Sequence, residues 1–310
     1  MNHSPNIQQV LESFEKQLLP AEFISGFFGA SVIGYGEISS VLALQDLPGL
    51  ALKRMPLFTS RDEAEQYILI YHDYCRLLKE AGIVLPEDST FILEIPGRPV
   101  VLYLQQRVFA SEKFVHHLIR QWSEDHIRIV FERILNHIQL VWHFSENRAP
   151  GLRIALDAQL SNWVVEGDAG NGVIYYVDTS TPLYQIEGRE QLNPELFLKS
   201  AMPGLRWVIR KFFLTNVINR YYDKRSVLID LTANLYKEQC PHLIPIMLKL
   251  ANGLPGLSHT PIYADEVKSY YNEDRRIWEI VQFSRKLHRW GVTKLKRGRY
   301  EFILPGTIHR

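Results

Sequence analysis

The sequence predicts an α+β fold in two lobes, an antiparallel-sheet lobe carrying one helix followed by a mainly helical lobe. Three observations predict it. Short apolar runs bracket a glycine turn and a lysine-bearing run within residues 28–55. Two amphipathic helical patterns follow at 60–81 and 124–144, and beyond residue 192 the chain is helical and aromatic throughout. With 310 residues, 46% of them apolar, the chain is long enough for two separate cores. The division falls between residues 1–107 and 108–310.

Taken in order, residues 28–44 read as strand, tight turn, strand, because apolar residues flank Gly34-Tyr35-Gly36. Glycines at such a turn let the backbone bend sharply and approach phosphate oxygens closely. Residues 50–55 form another apolar strand with Lys53 in its middle. The helix at 60–81 repeats Ala64, Tyr67, Ile68, Tyr71, Tyr74, Cys75 and Leu78 at steps of three and four, with Ser60 as N-cap, Glu63 in a capping-box position and Gly82 as its end. Glu65, one turn in, is the candidate to pair with Lys53; Glu63 is the runner-up, and its capping role makes it less available. Residues 99–107 are a further strand. The helix at 124–144 carries Ile127, Val130, Phe131, Ile134, Leu135, Ile138 and Val141 on one stripe. Its histidines, His126, His137 and His143, are spaced so that they do not share a turn, and they read as helix-surface or core-edge residues. Later helices are expected at 194–202, 204–222, 227–238, 243–252 and 264–290, with a terminal strand at 299–305. Trp207, Phe212, Phe213, Tyr221 and Tyr222 read as core.

The chemistry-bearing segment is Asp157, Asn162 and Asp178 around two apolar strands, 163–165 and 173–177, joined by a stretch with three glycines. A hairpin brings its open ends together, so Asp178 returns beside Asn162. A carboxylate and an amide oxygen then converge, and hard oxygen ligands of this kind suit Mg²⁺. Asp157 is left free to accept a proton from an attacking hydroxyl. Alone, the same three residues also fit two turn positions and a cap for 179–184. The upstream glycine turn and lysine are what favour the chemical reading.

In that order of motifs, over about residues 25–185, the chain resembles the protein-kinase-like fold, in particular its small-molecule branch that includes the aminoglycoside phosphotransferases. The resemblance implies an ATP- and Mg²⁺-dependent phosphotransferase. Gly34 and Gly36 are similar to the phosphate-covering loop, Lys53 to the lysine that contacts the α and β phosphates, and Glu65 to its helix partner. Asp157 is similar to the catalytic base, Asn162 to the second metal ligand and Asp178 to the principal one. Residues 99–107, with Gln105 and Arg107, resemble the last strand and hinge that would bind adenine. No A-P-E follows Asp178, which resembles the small-molecule branch and implies a small-molecule hydroxyl acceptor.

The pattern also departs from that family. Ala155 stands where a histidine is usual, Gln159 where a lysine or histidine is usual, and Asp178-Thr179-Ser180 where D-F-G is usual. These departures motivate a second expectation, a nucleotide-binding pseudokinase with a regulatory or scaffolding role.

Composition bounds the remaining classes. No run approaches the roughly 18 apolar residues of a membrane span, the N-terminus lacks the pattern of a signal peptide, and Cys75 and Cys240 form no C-x-x-C. A cytoplasmic protein with no membrane partner is the expectation. Net charge is +1, but residues 268–310 hold 11 Lys+Arg against 4 Asp+Glu, giving +7, while the rest holds 24 against 30, giving −6. No nucleic-acid-binding motif accompanies that basic segment, so it reads as a solvated helix face with a terminal hairpin rather than a nucleic-acid site.

Overall fold

The structure is a computed structural model that describes residues 6–23, 26, 29–36, 39–148, 151–200, 202, 206, 215–257 and 259–305. A helix α1 (Ile7–Gln17) precedes five antiparallel strands, β1 (Ala30–Tyr35), β2 (Ser40–Leu44), β3 (Leu50–Phe58), β4 (Asp88–Leu93) and β5 (Val100–Arg107), in the sheet order β1-β2-β3-β5-β4. Helix α2 (Arg61–Glu80) connects β3 to β4. The chain is therefore mixed α+β, with an antiparallel sheet followed by a succession of helices.

Strand β3 shows why the sheet needs both of its helices. Successive strand residues face opposite sides, and here Leu52 and Arg54 share one face with Tyr103 while Lys53 and Met55 share the other with Leu104 and Leu102. The first face packs under α1, where Leu11, Phe14 and Leu18 meet Leu42, Leu52, Val101 and Tyr103. The second packs under α2, where Ala64, Tyr67 and Tyr71 meet Met55, Leu102 and Leu104. Helix α2 starts as its sequence dictates: Ser60 accepts from the Glu63 backbone N–H at 3.2 Å, and Gly82, at φ +91°, lets the chain leave. Glu63 reaches back to the backbone N–H of Thr59, at 2.7 Å, rather than to that of Ser60.

Beyond the sheet, α3 (Val115–Leu118) and α4 (Glu124–Asn147) lead to β6 (Leu152–Ile154) and then to the hairpin β7 (Trp163–Glu166) and β8 (Val173–Tyr176), registered Trp163 opposite Tyr176. Strands β9 (Tyr184–Ile186) and β10 (Arg189–Glu190) complete a small sheet on β6. Helical stretches at Glu195–Leu198, Thr215–Tyr221, Lys224–Lys237, Ile244–Asn252 and Ala264–Trp290 follow. The α4 stripe, from Ile127 to Val141, is buried against the hairpin, α2 and the later helices. Among the described residues, no helix is long and apolar enough to cross a membrane.

Two sequence expectations are corrected. The chain after Arg299 is not a strand, although Tyr300, Phe302, Ile303 and Leu304 are buried. It returns to the first sheet, where Tyr300, Phe302 and Leu304 pack with Met55, Tyr67 and Leu102, so the sheet-centred body draws on the C-terminal segment as well as on residues 1–107. Helix α1 and strand β4 are not among the sequence expectations, although Ile7, Val10, Leu11, Phe14 and Leu18 give α1 a clear apolar face. Of the helices expected at 194–202 and 204–222, the described parts are Glu195–Leu198 and Thr215–Tyr221; Trp207, Phe212 and Phe213 lie outside the described residues.

The C-terminal return is pinned by charge. Arg54, fully buried, donates to Glu15 through Nε at 2.9 Å and Nη2 at 2.5 Å, and to the backbone oxygen of Glu301 at 2.6 Å. The Tyr103 hydroxyl donates to the same Glu15 at 2.7 Å. Burial alone would raise the Glu15 carboxyl, but Arg54 and the Tyr103 hydroxyl outweigh it and hold it below its ordinary value. A carboxyl lowered by folding stabilises above its unfolded pKa and loses that contribution as pH falls through the folded one. Arg54→Met should cost about 3–5 kcal/mol at pH 7, because it strands a buried carboxylate. Pairing it with Glu15→Leu should recover a large part of that loss. Denaturant unfolding at pH 7 and pH 3 checks both points, with the single variant's deficit shrinking at the lower pH.

Candidate functional site

Lys53 and Asp178 meet although 125 residues separate them. The Lys53 Nζ lies 3.0 Å from Asp178 Oδ1 and donates to the backbone oxygen of Val177, also at 3.0 Å. Strand β3 supplies the lysine from its α2-facing side, and the β7–β8 hairpin returns Asp178 to the same place. The pair is only partly sealed, with side-chain exposures of 11% for Lys53 and 30% for Asp178. Ser180 Oγ donates to the same carboxylate at 2.9 Å. Burial pushes the Asp178 carboxyl up, and the Lys53 ammonium together with the Ser180 bonds overcomes this, leaving it lowered and charged.

Asn162 and Asp157 stand at the hairpin's open end. The backbone N–H of Val177 donates to the Asn162 backbone oxygen at 3.0 Å, which sets Asn162 beside the strand end that carries Asp178. Asn162 gives its Nδ2 to the backbone oxygen of Asp157 at 3.1 Å, and that bond leaves its Oδ1 as the end suited to a cation. Asp157 Oδ1 accepts the Gln159 backbone N–H at 3.1 Å, a turn-forming bond, while the Tyr176 hydroxyl accepts the Asp157 backbone N–H at 3.2 Å. The Asp157 carboxyl is raised well above its ordinary value, first by burial, then by the nearby negative charges of Asp230 and Asp178. Asp157 thus does the work of a turn residue and also carries a proton-competent carboxyl.

The glycine turn closes the β1–β2 hairpin. Tyr35 pairs with Ser40, and the Gly36 N–H donates to the Ser39 backbone oxygen at 2.9 Å. A Cβ at Gly36 would come within 2.5 Å of Ser39 Oγ, which that hydroxyl could relieve by rotating, and one at Gly34 within 3.4 Å of Val41, an ordinary contact. Residues 37–38, at the tip, lie outside the described residues.

Three proposed site residues stand elsewhere. Glu65 does not reach Lys53: it is exposed and paired with Arg61 at 2.8 Å. Glu63, the runner-up, binds Lys199 at 2.8 Å. The face that α2 turns inward is tyrosine, with Tyr67 donating to the Ser180 backbone oxygen at 2.6 Å, Tyr71 to Asp88 at 2.8 Å and Tyr74 to the Ala155 backbone oxygen at 2.8 Å. Glu65 was placed by its distance along the chain, but the helical phase sets Ala64, Tyr67 and Tyr71 inward and Glu65 out.

Gln105 is opposite Leu52, on the α1-facing side, and the strand carrying it is paired to β3 on one side and β4 on the other. Its neighbour Gln106 faces the site instead, donating Nε2 to Thr179 Oγ1 at 3.0 Å. Arg107 is committed to Glu166 at 2.6 Å, with its guanidinium 4.4 Å from the Phe109 ring centroid and 5.2 Å from that of Tyr175. It ties the end of the first sheet to the hairpin.

Two residues of the Lys224–Lys237 helix enter the site without any signal in the sequence pattern. Lys237 donates to Gln159 Oε1 at 2.7 Å. Asp230 accepts the Tyr270 hydroxyl at 2.9 Å and is raised to about 6, by burial and then by the charge of Asp274. Both residues fall inside an ordinary helical stretch, and only the packing of that helix against the Gln159 loop reveals them. Asn234 fixes the contact, its Oδ1 accepting the Leu160 backbone N–H at 3.0 Å.

The donors that could hold Mg²⁺ are the Asp178 carboxylate and Asn162 Oδ1, an all-oxygen pair that fits a hard cation completed by phosphate and water. Among the described residues, no group of three or more His, Cys, Asp or Glu side chains is arranged to hold a metal by itself.

A solved structure described as "WaaP in complex with acyl carrier protein" is similar over 71% of this chain and 83% of that one, at 13% identity and a TM-score of 0.33. No curated protein matches the chain. Residues 29–289 match a family described as "Family of unknown function (DUF6206)", a span that takes in the sheet, the Lys53–Asp178 contact and nearly all of the later helices. The chain belongs to the DUF6206 family.

Proposed function

We propose that the chain is a two-lobed, protein-kinase-like phosphotransferase that uses ATP and Mg²⁺ and acts on a hydroxyl of a small molecule. The observation that carries this reading is the 3.0 Å contact between Lys53 and Asp178, with Asn162 and Asp157 at the same hairpin end. Lys53 and the Gly34–Gly36 turn would position the phosphates. Asp178 and Asn162 would hold Mg²⁺, which when bound supplies positive charge against the phosphate oxygens. Lys53 would then exchange its contact with Asp178 for phosphate, since each group has a new partner of opposite charge.

Asp157 would accept the proton of the acceptor hydroxyl. A carboxyl raised by burial and by neighbouring anions is a stronger base than a free one. The charge that Gln159 does not carry arrives through Lys237, whose ammonium sits on the Gln159 amide. Asp230, close enough to raise Asp157, would face the acceptor side.

A second reading, a nucleotide-binding pseudokinase, draws on the inward face of α2, which brings tyrosines and no carboxylate toward the Lys53 side of the sheet. Transfer assays with labelled ATP and metabolite pools separate the two. The phosphotransferase reading expects product from wild type, a loss of about 10²–10⁴ in Asp157→Ala and none from Asp178→Ala. Nucleotide binding without transfer by any form favours the pseudokinase.

ATP with Mg²⁺ at a hundredfold excess over its Kd should stabilise the fold by about 2.7 kcal/mol. Lys53→Met and Asp178→Asn should abolish that thermal shift. Lys237→Met should retain the shift yet lose turnover by about 10²–10³; loss of both together would place Lys237 in nucleotide binding instead.

Asp230 gives a pH test. Its folded pKa of about 6 is raised above the ordinary 3.8, so the stability linked to its protonated form is complete below the unfolded pKa and is lost as pH rises through 6. Asp230→Asn keeps an acceptor for Tyr270 and should raise the melting temperature at pH 8 by about 2–4 °C. At pH 4 it should change little. Differential scanning calorimetry at the two pH values decides it.

A further inference from the structure

The Ala264–Trp290 helix and the turn after it carry an exposed apolar stripe that the proposed site does not use. Ile280, Phe283, Trp290 and Leu295 are 58%, 64%, 52% and 69% exposed. The first three, with Arg276 and the half-buried Leu287, fall at alternating steps of four and three and so lie along one side of the helix. The other side is pinned: Ser284 and Arg285 are buried, Ser284 Oγ accepts the Met202 backbone N–H at 3.2 Å, and His288 contacts the Ser200 backbone oxygen at 3.2 Å. Its outward face is therefore fixed by packing.

Charge says what this stripe fits. Residues 276–297 contain seven Lys and Arg and one acid, Glu279, which pairs with Arg275 at 3.6 Å, and Lys286, Lys294, Lys296 and Arg297 are exposed. Single exposed apolar residues are ordinary, but an aligned set of large ones is not. Here the set is interleaved with cations whose aliphatic stems can lie along apolar surface while their heads reach outward.

A nucleic acid would satisfy the cations but offers no hydrocarbon to Ile280 and Leu295. A second copy of this chain would bring the same positive charge face to face. The interface of an anionic bilayer supplies both requirements in layers, negative headgroups above an acyl boundary. We infer that the residue 276–297 face docks this protein on an anionic lipid surface, with Phe283, Trp290 and Leu295 inserted and Lys286, Lys294, Lys296 and Arg297 at the headgroups.

Such docking differs from the expectation of no membrane partner, which rests on the lack of a spanning segment. A spanning helix and an interfacial one are different objects: the first needs uninterrupted apolar length, the second one apolar side with flanking cations. The terminal hairpin expected over this basic stretch is also replaced. The helix runs on through residues 291–295 in a wider π turn, which carries Leu295 and Lys294 outward beyond Trp290.

Co-sedimentation of the full chain with phosphatidylcholine vesicles, with and without phosphatidylglycerol, tests the inference. Binding should require phosphatidylglycerol, weaken steeply with added salt, and fall at least about tenfold in both Phe283→Ser/Trp290→Ser and Lys294→Glu/Lys296→Glu. All four side chains are exposed, so unchanged melting curves should accompany the loss. Brominated acyl chains should quench tryptophan emission in wild type and not in Trp290→Phe. Equal binding to both vesicle types, no binding to either, or binding that survives both double variants overturns the inference. So does a concentration-dependent dimer that Phe283→Ser/Trp290→Ser dissociates, or oligonucleotide binding in place of vesicle binding.

Discussion

The alternation of strand β3 at Lys53 and Arg54 is the constraint on which the rest of the structure depends. Two adjacent cations leave the strand on opposite faces, and each is met by an acid from a distant part of the chain. Arg54 is sealed, fully buried against Glu15 and Glu301. Lys53 stays at an opening, against an Asp178 that keeps 30% of its side chain exposed. Adjacent residues thus carry one sealed ion pair and one partly open one. The sealed pair gathers α1 and the C-terminal return onto one face of the sheet. The other face carries α2 and Lys53.

Helix α2 is held by a different kind of force from the one the motif order led us to expect. An ion pair from Glu65 to Lys53 would couple the helix to whatever binds the lysine. Instead three buried phenols, Tyr67, Tyr71 and Tyr74, link α2 to Ser180, Asp88 and Ala155. Burial pushes each phenol's pKa up, so all three remain neutral donors across ordinary pH. Their bonds clamp the segment after Asp178 and the strand before Asp157 without adding charge. The consequence is that the docking of α2 does not draw on the charge of Lys53.

How much of this was legible in the sequence follows from the range of the interactions. The β7–β8 hairpin, the N-cap of α2 and the stripe of α4 are set by residues a few positions apart, and the sequence places them closely. The pairing of Lys53 with Asp178 could be anticipated only from the order of motifs, since nothing local joins them. Glu65 and Gln105 were misplaced for one reason: their spacing along the chain was right, but the phase of the helix in one case and the face of the strand in the other were not. A shift of two residues, from Glu65 to the inward Tyr67, or of one, from Gln105 to Gln106, reaches the Lys53 side of the sheet. The exposed aromatic side of the last long helix was illegible in another way. Periodicity finds an apolar stripe, and only packing tells whether that stripe faces the core or the solvent.

Asp230 and Lys237 lie beyond sequence reading for a deeper reason, and they bear most on what the site can do. They sit seven residues apart on the Lys224–Lys237 helix, about two turns, so one helix side delivers an anion and a cation to the same loop. Lys237 donates to Gln159, the position where the motif lacks a positive charge, so the helix sets an ammonium beside that loop. Burial first, then Asp230 and Asp178, raise Asp157, while the Gln159 backbone bond and Lys237 lower it, so one helix supplies both a raising and a lowering charge. Moving the cation from the loop to the helix keeps the field at the loop and frees its side chain from carrying charge. A missing lysine in the local motif therefore does not imply a missing charge at the site, and the chemistry has to be judged from the loop together with the helix packed against it.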